Sequence, residues 1–187
     1  MGTGTPTGST ATTLVVIRGN SGSGKSTIAR QLQLGYGRGC ALIEQDYLRR
    51  KILRELDRPG GIAPDFIEHT ARFALDHGYH VVLEGILHRT RYGPMLDRLR
   101  TDHVGPTYVF YLDVSFEETV RRHATRPQSA DYTPEQMYTW YSPGDQLGGP
   151  GEHTVPETSS EAETLAFVVR TTGLAPGSAP LEPVAEG

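Results

Sequence analysis

The chain has one cysteine, two lysines and one asparagine, and no long hydrophobic run. Cys40 has no partner for an intrachain disulfide. It sits where a second strand should begin, which suits a small buried residue better than a reactive thiol. No apolar run approaches the ~20 residues of a membrane span. The opening residues are rich in Gly, Thr and Ser and lack the basic and apolar regions of a signal peptide. A cytoplasmic protein with no membrane association is therefore expected. Basic character is scarce too. A net charge of −4 argues against sequence-independent nucleic-acid binding, which needs a basic face. Among the 18 basic residues only Lys25 and Lys51 are lysines, so a lysine is a pointed choice wherever it occurs. The 187 residues, 36 % hydrophobic and 21 % charged, suit one domain large enough for a core.

One of those lysines ends the most informative stretch, Gly19-Asn20-Ser21-Gly22-Ser23-Gly24-Lys25-Ser26. It follows the apolar run Leu14-Val15-Val16-Ile17 and precedes a helical pattern from Thr27. This is G-x-x-x-x-G-K-[ST] in its setting of strand, glycine turn and helix. Glycines let successive backbone N–H groups wrap phosphate oxygens, and the helix N-terminus adds partial positive charge. A bound nucleoside triphosphate would contact Gly19, Asn20, Ser21, Gly22, Ser23, Gly24, Lys25, Ser26 and Thr27. Lys25 would reach the β- and γ-phosphates, and the Ser26 hydroxyl would bind Mg²⁺. No NKxD-like guanine signature is present, because Asn20 is the only asparagine. That favours ATP as the nucleotide.

Strand-like runs at 13–18, 41–45, 80–84, 108–113 and 153–156 alternate with helical patterns at 26–34, 47–56, 64–77, 92–100, 115–125 and 159–171. Continuous apolar strands joined through helices imply right-handed βαβ units. The expected fold is a three-layer α/β/α P-loop NTPase with a mostly five-stranded parallel sheet and a lid. The domain should span 13–172, with the lid at about 121–151, a disordered leader at 1–12 and a disordered tail at 173–187. The stretch from Pro127 to Gly151, crowded with Pro and Gly, reads as that lid or binding loop.

Further candidates lie where strands should end, since α/β sheets gather ligands at their carboxyl edges. Asp46, after the second strand, either caps the next helix or takes the proton of an acceptor hydroxyl, roles that are compatible. Glu44, two residues earlier, is a candidate Mg²⁺ ligand, and Arg49 would face the acceptor. Glu84 closes the third strand like a Walker B carboxylate and is the other candidate for Mg²⁺ or for the attacking group. His88 follows as a possible acceptor contact. Arg121, Arg122 and Arg126 fall on the helix before the lid. Arg122 and Arg126 are placed to close over the γ-phosphate, while a surface pairing of Arg122 with Glu118 is the bland alternative. Trp140 and Tyr141 are either an aromatic wall for a substrate or packing for the lid.

On the Gly19–Ser26 loop, Asp46-x-x-Arg49, the acid at Glu84 and the arginine-bearing lid helix, the chain resembles the small P-loop kinases. Adenylate, shikimate and gluconate kinases, chloramphenicol phosphotransferase and the zeta toxins belong to that group. The resemblance spans about residues 13–172 and implies ATP and Mg²⁺, Asp46 as general base, and Lys25 with Arg122 and Arg126 on the migrating phosphoryl group. It also implies that the loop at 156–159 packs on adenine. The implied reaction is phosphoryl transfer to a hydroxyl of a small molecule, either a sugar, a nucleoside or an antibiotic-like compound. A polynucleotide or sugar-nucleotide kinase, or a regulatory ATPase without an organic acceptor, are the alternatives. Oligomeric state and acceptor identity are not legible.

Overall fold

The computed structural model describes residues 4–124 and 133–178. Five strands, β1 (Leu14–Gly19), β2 (Cys40–Glu44), β3 (His80–Gly85), β4 (Thr107–Asp113) and β5 (Glu152–Pro156), form one sheet in the order β2-β3-β1-β4-β5. Every pairing is parallel, with Leu14 beside Val81 on one flank and Thr107 on the other. This is the α/β/α architecture of the P-loop NTPases. All six residues of β1 are buried, as expected of a central strand covered on both faces.

Period-two alternation distributes β1 between two cores. Leu14 and Val16 face Ile67, Leu75, Leu96 and Leu99 of helices α2 (Ala63–Asp76) and α3 (Arg89–Asp102). Val15 and Ile17 face Ile28, Leu32 and Val168 of α1 (Lys25–Tyr36) and α6 (Glu161–Thr172). Each such aliphatic side chain, fully buried, contributes about 1.5–3 kcal/mol. β1 has β3 on one side and β4 on the other, so its carboxyl end opens at the switch point where ligands gather.

Several elements differ from the sequence expectation. The pattern at 47–56 forms a π-helical turn only over Tyr47–Ile52, with Leu53 N–H donating to Leu48 C=O at 3.0 Å. Such turns are short and often mark functional sites. The Pro/Gly-rich stretch hides a helix, α5 (Pro134–Thr139), started by a capping box between Thr133 and Gln136. The preceding α4 spans Phe116–Ala124.

The anticipated lid is fixed along its return. Glu152 accepts from the Leu147 and Gly148 N–H groups, and Arg100 donates to the Gly148 and Pro150 carbonyls. The expected disordered leader is docked from Thr7 onward. Thr7 bridges to His103, and its hydroxyl and the Gly8 N–H both donate to Asp76 at 2.7 Å. The start of the expected tail packs as well. Leu174 is buried in the core, and Gly177 N–H bonds the Gly35 carbonyl at 3.1 Å.

Candidate active site

The phosphate loop emerges from β1 with Gly22 at φ 84° and Gly24 at φ 101°, a region that side chains rarely adopt. A Cβ on Gly22 would also lie 2.7 Å from the Thr119 carbonyl oxygen, so the loop needs glycine twice over there. Lys25 begins α1, is nearly buried, and donates from Nζ to the Asn20 carbonyl at 3.1 Å. Ser23 Oγ is buried without a partner among the described residues. Ser26 Oγ donates to Glu84 Oε2 at 3.1 Å.

Burial pushes the Glu84 carboxyl up, and the opposing pull of Lys25 and Ser26 does not offset it. A buried carboxylate short of compensation beside a hydroxyl is an oxygen pair that fits a hard cation such as Mg²⁺. Glu44, the other candidate, lines the same cleft as Ser26 and Glu84, with its Oε1 accepting from Arg30 Nε at 3.1 Å. Asn20 is also committed. Its amide exchanges two hydrogen bonds with the Ser142 backbone, at 2.9 and 3.0 Å, which leaves only its main chain for a nucleotide.

Two cavities open on opposite sides of the loop. One, of about 450 Å³, is lined by Thr27, Arg121, Arg122 and the turn at 157–160. Arg122 makes the surface pairing considered for it and also reaches the loop. Its Nε pairs with Glu118 at 2.6 Å, while its other nitrogens donate to the Ser23 carbonyl at 3.1 Å and the Glu157 carbonyl at 2.9 Å. Arg121 only pairs with Glu118 along the exposed helix face. These two arginines hold the Glu118 carboxyl down to about 2. Arg126 lies outside the described residues.

The second cavity, of about 480 Å³, is lined by Ser21, Asp46, Arg49, Arg50, Asp57, Ile86, His88, Thr139 and Trp140. Asp46 makes no capping bond to the turn that follows it. Arg49 donates to it at 2.7 Å and Arg50 stands 3.6 Å away, because the π-turn brings both arginines over one carboxylate. The two aromatics divide the roles considered for them. Trp140 lines this cavity, while Tyr141 packs edge-on to Phe116 and bonds the Val114 carbonyl at 3.1 Å.

Sequence reading missed the residue that shapes this side. Arg18 is fully buried on β1 and donates to the Leu87 carbonyl at 2.7 Å and to Asp145 Oδ2 at 2.8 Å. Leu87 needs that support, since its backbone is left-handed at φ 47°, costing a non-glycine residue about 1–2 kcal/mol. Asp145 also accepts from the Arg89 N–H at 3.0 Å and stands 3.8 Å from His88 Nδ1. A charged residue inside an otherwise apolar strand was the available signal, because a buried arginine demands a counter-charge. A Cβ on Gly85 would lie 2.5 Å from Gln45 Oε1, so glycine at the end of β3 makes room for that side chain.

A phosphate loop on a central strand, a buried acid beside its serine and cavities on both flanks are the features of the P-loop NTPase fold. The AAA domain family matches residues 14–139, about two thirds of the chain, and the protein belongs to it. No curated protein matches it in sequence. Among solved structures, the APS kinase of Mycobacterium tuberculosis, in complex with AMPPNP and APS, is 19 % identical with a TM-score of 0.64, covering 88 % of this chain and 97 % of that one. A sugar kinase from Janibacter sp. is 21 % identical at TM-score 0.63, covering 90 % and 99 %. A gluconokinase from Sinorhizobium meliloti is 20 % identical at 0.55, covering 90 % and 95 %. Likeness at these identities establishes the shared fold. No helix among the described residues is long and apolar enough to cross a membrane.

Proposed function

We propose that the protein is a phosphotransferase that moves the γ-phosphoryl group of ATP to a hydroxyl of a small molecule. The observation that carries this reading is the second cavity. A nucleotide switch or a plain ATPase needs the base-side pocket and the loop, but has no use for a second cleft holding Asp46, Arg49 and Trp140 on the other side of the loop. The purine would lie in the base-side cavity against the turn at 157–160, with its phosphates on the loop N–H groups and Lys25. Ser26 and Glu84 would hold Mg²⁺, which supplies charge neutralisation on the phosphate oxygens. Arg122, already seated on the loop, adds positive charge from the base side.

Asp46 accepts the proton of the acceptor hydroxyl as that oxygen bonds to the γ-phosphorus. The bond from phosphorus to the bridging oxygen breaks, and ADP leaves with the electron pair. Arg49 keeps the Asp46 carboxylate aimed at the cavity, and Arg50 stands 3.6 Å from the same carboxylate. His88 supplies a polar contact at the cavity wall.

The test is transfer of label from γ-labelled ATP with Mg²⁺ to pooled sugars, nucleosides and antibiotic-type alcohols. Asp46→Asn should lower transfer by about 100- to 10,000-fold while leaving nucleotide binding intact. Label released only as free phosphate, equally in both proteins, would replace this reading with a nucleotide-dependent ATPase.

A further inference from the structure

One side chain in the second cavity is held far more firmly than its loop requires. Asp57 lies in the segment between the π-turn and α2. Its Oδ1 accepts from the Tyr92 hydroxyl at 3.0 Å and forms an ion pair with Arg91 at 2.5 Å. The Tyr92 hydroxyl in turn accepts from Gln45 Nε2 at 3.0 Å, and Gln45 Oε1 accepts from the Ile86 N–H at 3.1 Å. A continuous run of hydrogen bonds therefore joins the end of β3 to Asp57 through two fully buried side chains. Burial pushes the Tyr92 phenol up to about 12, so it stays protonated and keeps donating.

Loop anchoring alone does not account for this arrangement. Glu55 already secures the segment by accepting from the Ile62 and Ala63 N–H groups at 2.8 and 2.9 Å, and Arg49 bonds the Glu55 carbonyl at 3.0 Å. The tie to Asp57 adds orientation. Its second oxygen accepts from no described residue, and the side chain is 30 % exposed along the cavity wall. The same lining includes Asp46, two guanidiniums and the indole of Trp140. Each carboxylate already has its own guanidinium, Asp46 with Arg49 and Asp57 with Arg91, so neither draws in a cation by charge alone. The wall instead offers fixed hydrogen-bond acceptors on one side and a flat apolar face on another. Its volume of about 480 Å³ suits one ring-sized molecule.

We propose that Asp57 is the residue that recognises the acceptor, held in place by Tyr92 and Gln45, and that the acceptor is a neutral ring bearing several hydroxyls and one apolar face. This rests on the kinase reading for its place in the reaction. Asp46 takes the reacting hydroxyl, Asp57 accepts from a second hydroxyl, and Trp140 covers the ring's C–H face.

Trp140 is the chain's single tryptophan, so its fluorescence reports on this cavity without any turnover. The intact protein would be titrated with myo-inositol, D-glucose, uridine and D-gluconate. A saturable change is expected with at least one of the three neutral compounds and none with gluconate. Asp57→Asn should weaken the binding about 10-fold, the loss expected for one charge-assisted hydrogen bond. Tyr92→Phe keeps the carboxylate but removes its orienting donor and should weaken it by a smaller factor. Thermal melts of both variants separate this effect from misfolding. In turnover, the acceptor KM should rise in both variants while the ATP KM stays put. Binding unchanged in Asp57→Asn, no response to any neutral ring, or a preference for gluconate would each overturn the inference. Because the titration needs no ATP, its failure leaves the label-transfer test standing, and failure of label transfer leaves the binding result readable.

Discussion

The two flanks of the phosphate loop are built on opposite plans. The flank proposed for the base is lined by a few longer stretches: the loop and first turn of α1, the face of α4, and the turn into α6 with its Ser160–Glu163 capping box, with Leu112 beside them. The acceptor side is assembled from scattered pieces, one or a few residues each from 21, 46–50, 57, 86–88 and 139–140. A wall of side chains brought from distant points is specific, and is vulnerable at every support behind it.

Substitution at the loop itself should erase the contrast. Lys25→Met removes the cation proposed for the β- and γ-phosphates and should lower label transfer on the order of 1,000-fold, with folding retained in circular dichroism. Asp46→Asn should then divide the flanks, abolishing transfer while leaving binding of a fluorescent ATP analogue at the wild-type level. Arg18→Met tests the support behind the acceptor wall. Stripping Asp145 of its buried partner should cost about 3 kcal/mol. For a chain of this size that is a fall in Tm of roughly 6–12 °C. The acceptor KM should rise with it, whereas the ATP KM should change little. Equal damage to both KM values would mean that Arg18 supports the loop as a whole.

The smallest expected effect lies far from both flanks, at the docked leader. Burial alone would raise the Asp76 carboxyl, but the Gly8 N–H, the Thr7 hydroxyl and Arg72 outweigh it and hold it below its usual 3.8. A depressed native value contributes stability that is complete above the unfolded value and lost as pH falls through the native one. The Tm gap between wild type and Asp76→Asn should therefore be largest near neutrality and close as pH drops below 3.8. Its size should stay under about 1 kcal/mol, since the group is close to solvent. A gap independent of pH would assign the leader's docking to the Thr7–His103 bridge instead.

Local signals carried the parts of this protein that depend on local physics. The apolar runs at 14–17 and 81–83 became central strands because only a doubly covered strand buries every residue. The glycine spacing at 19–24 became the phosphate loop, because positive φ angles there exclude other residues. The π-turn escaped notice because its period over six residues does not stand out from an α-helix, and α5 because Pro134 and the flanking glycines mask a two-turn helix. Arg18, Gln45, Tyr92 and Asp57 could not be recognised in advance, since each matters only through a partner 35 to 127 residues away.

By itself the amino-acid order determined the layered fold and the phosphate loop, through periodic apolarity and glycine geometry, both of which act over a few residues. Tertiary structure decided that Glu84 and not Glu44 stands beside Ser26, and that Trp140 lines a cavity while Tyr141 packs. It also decided that a buried arginine ties Asp145 to β1. The physical reason is the same in each case. A buried charge or donor takes whichever partner the folded chain brings within about 3 Å, and sequence spacing does not encode that distance.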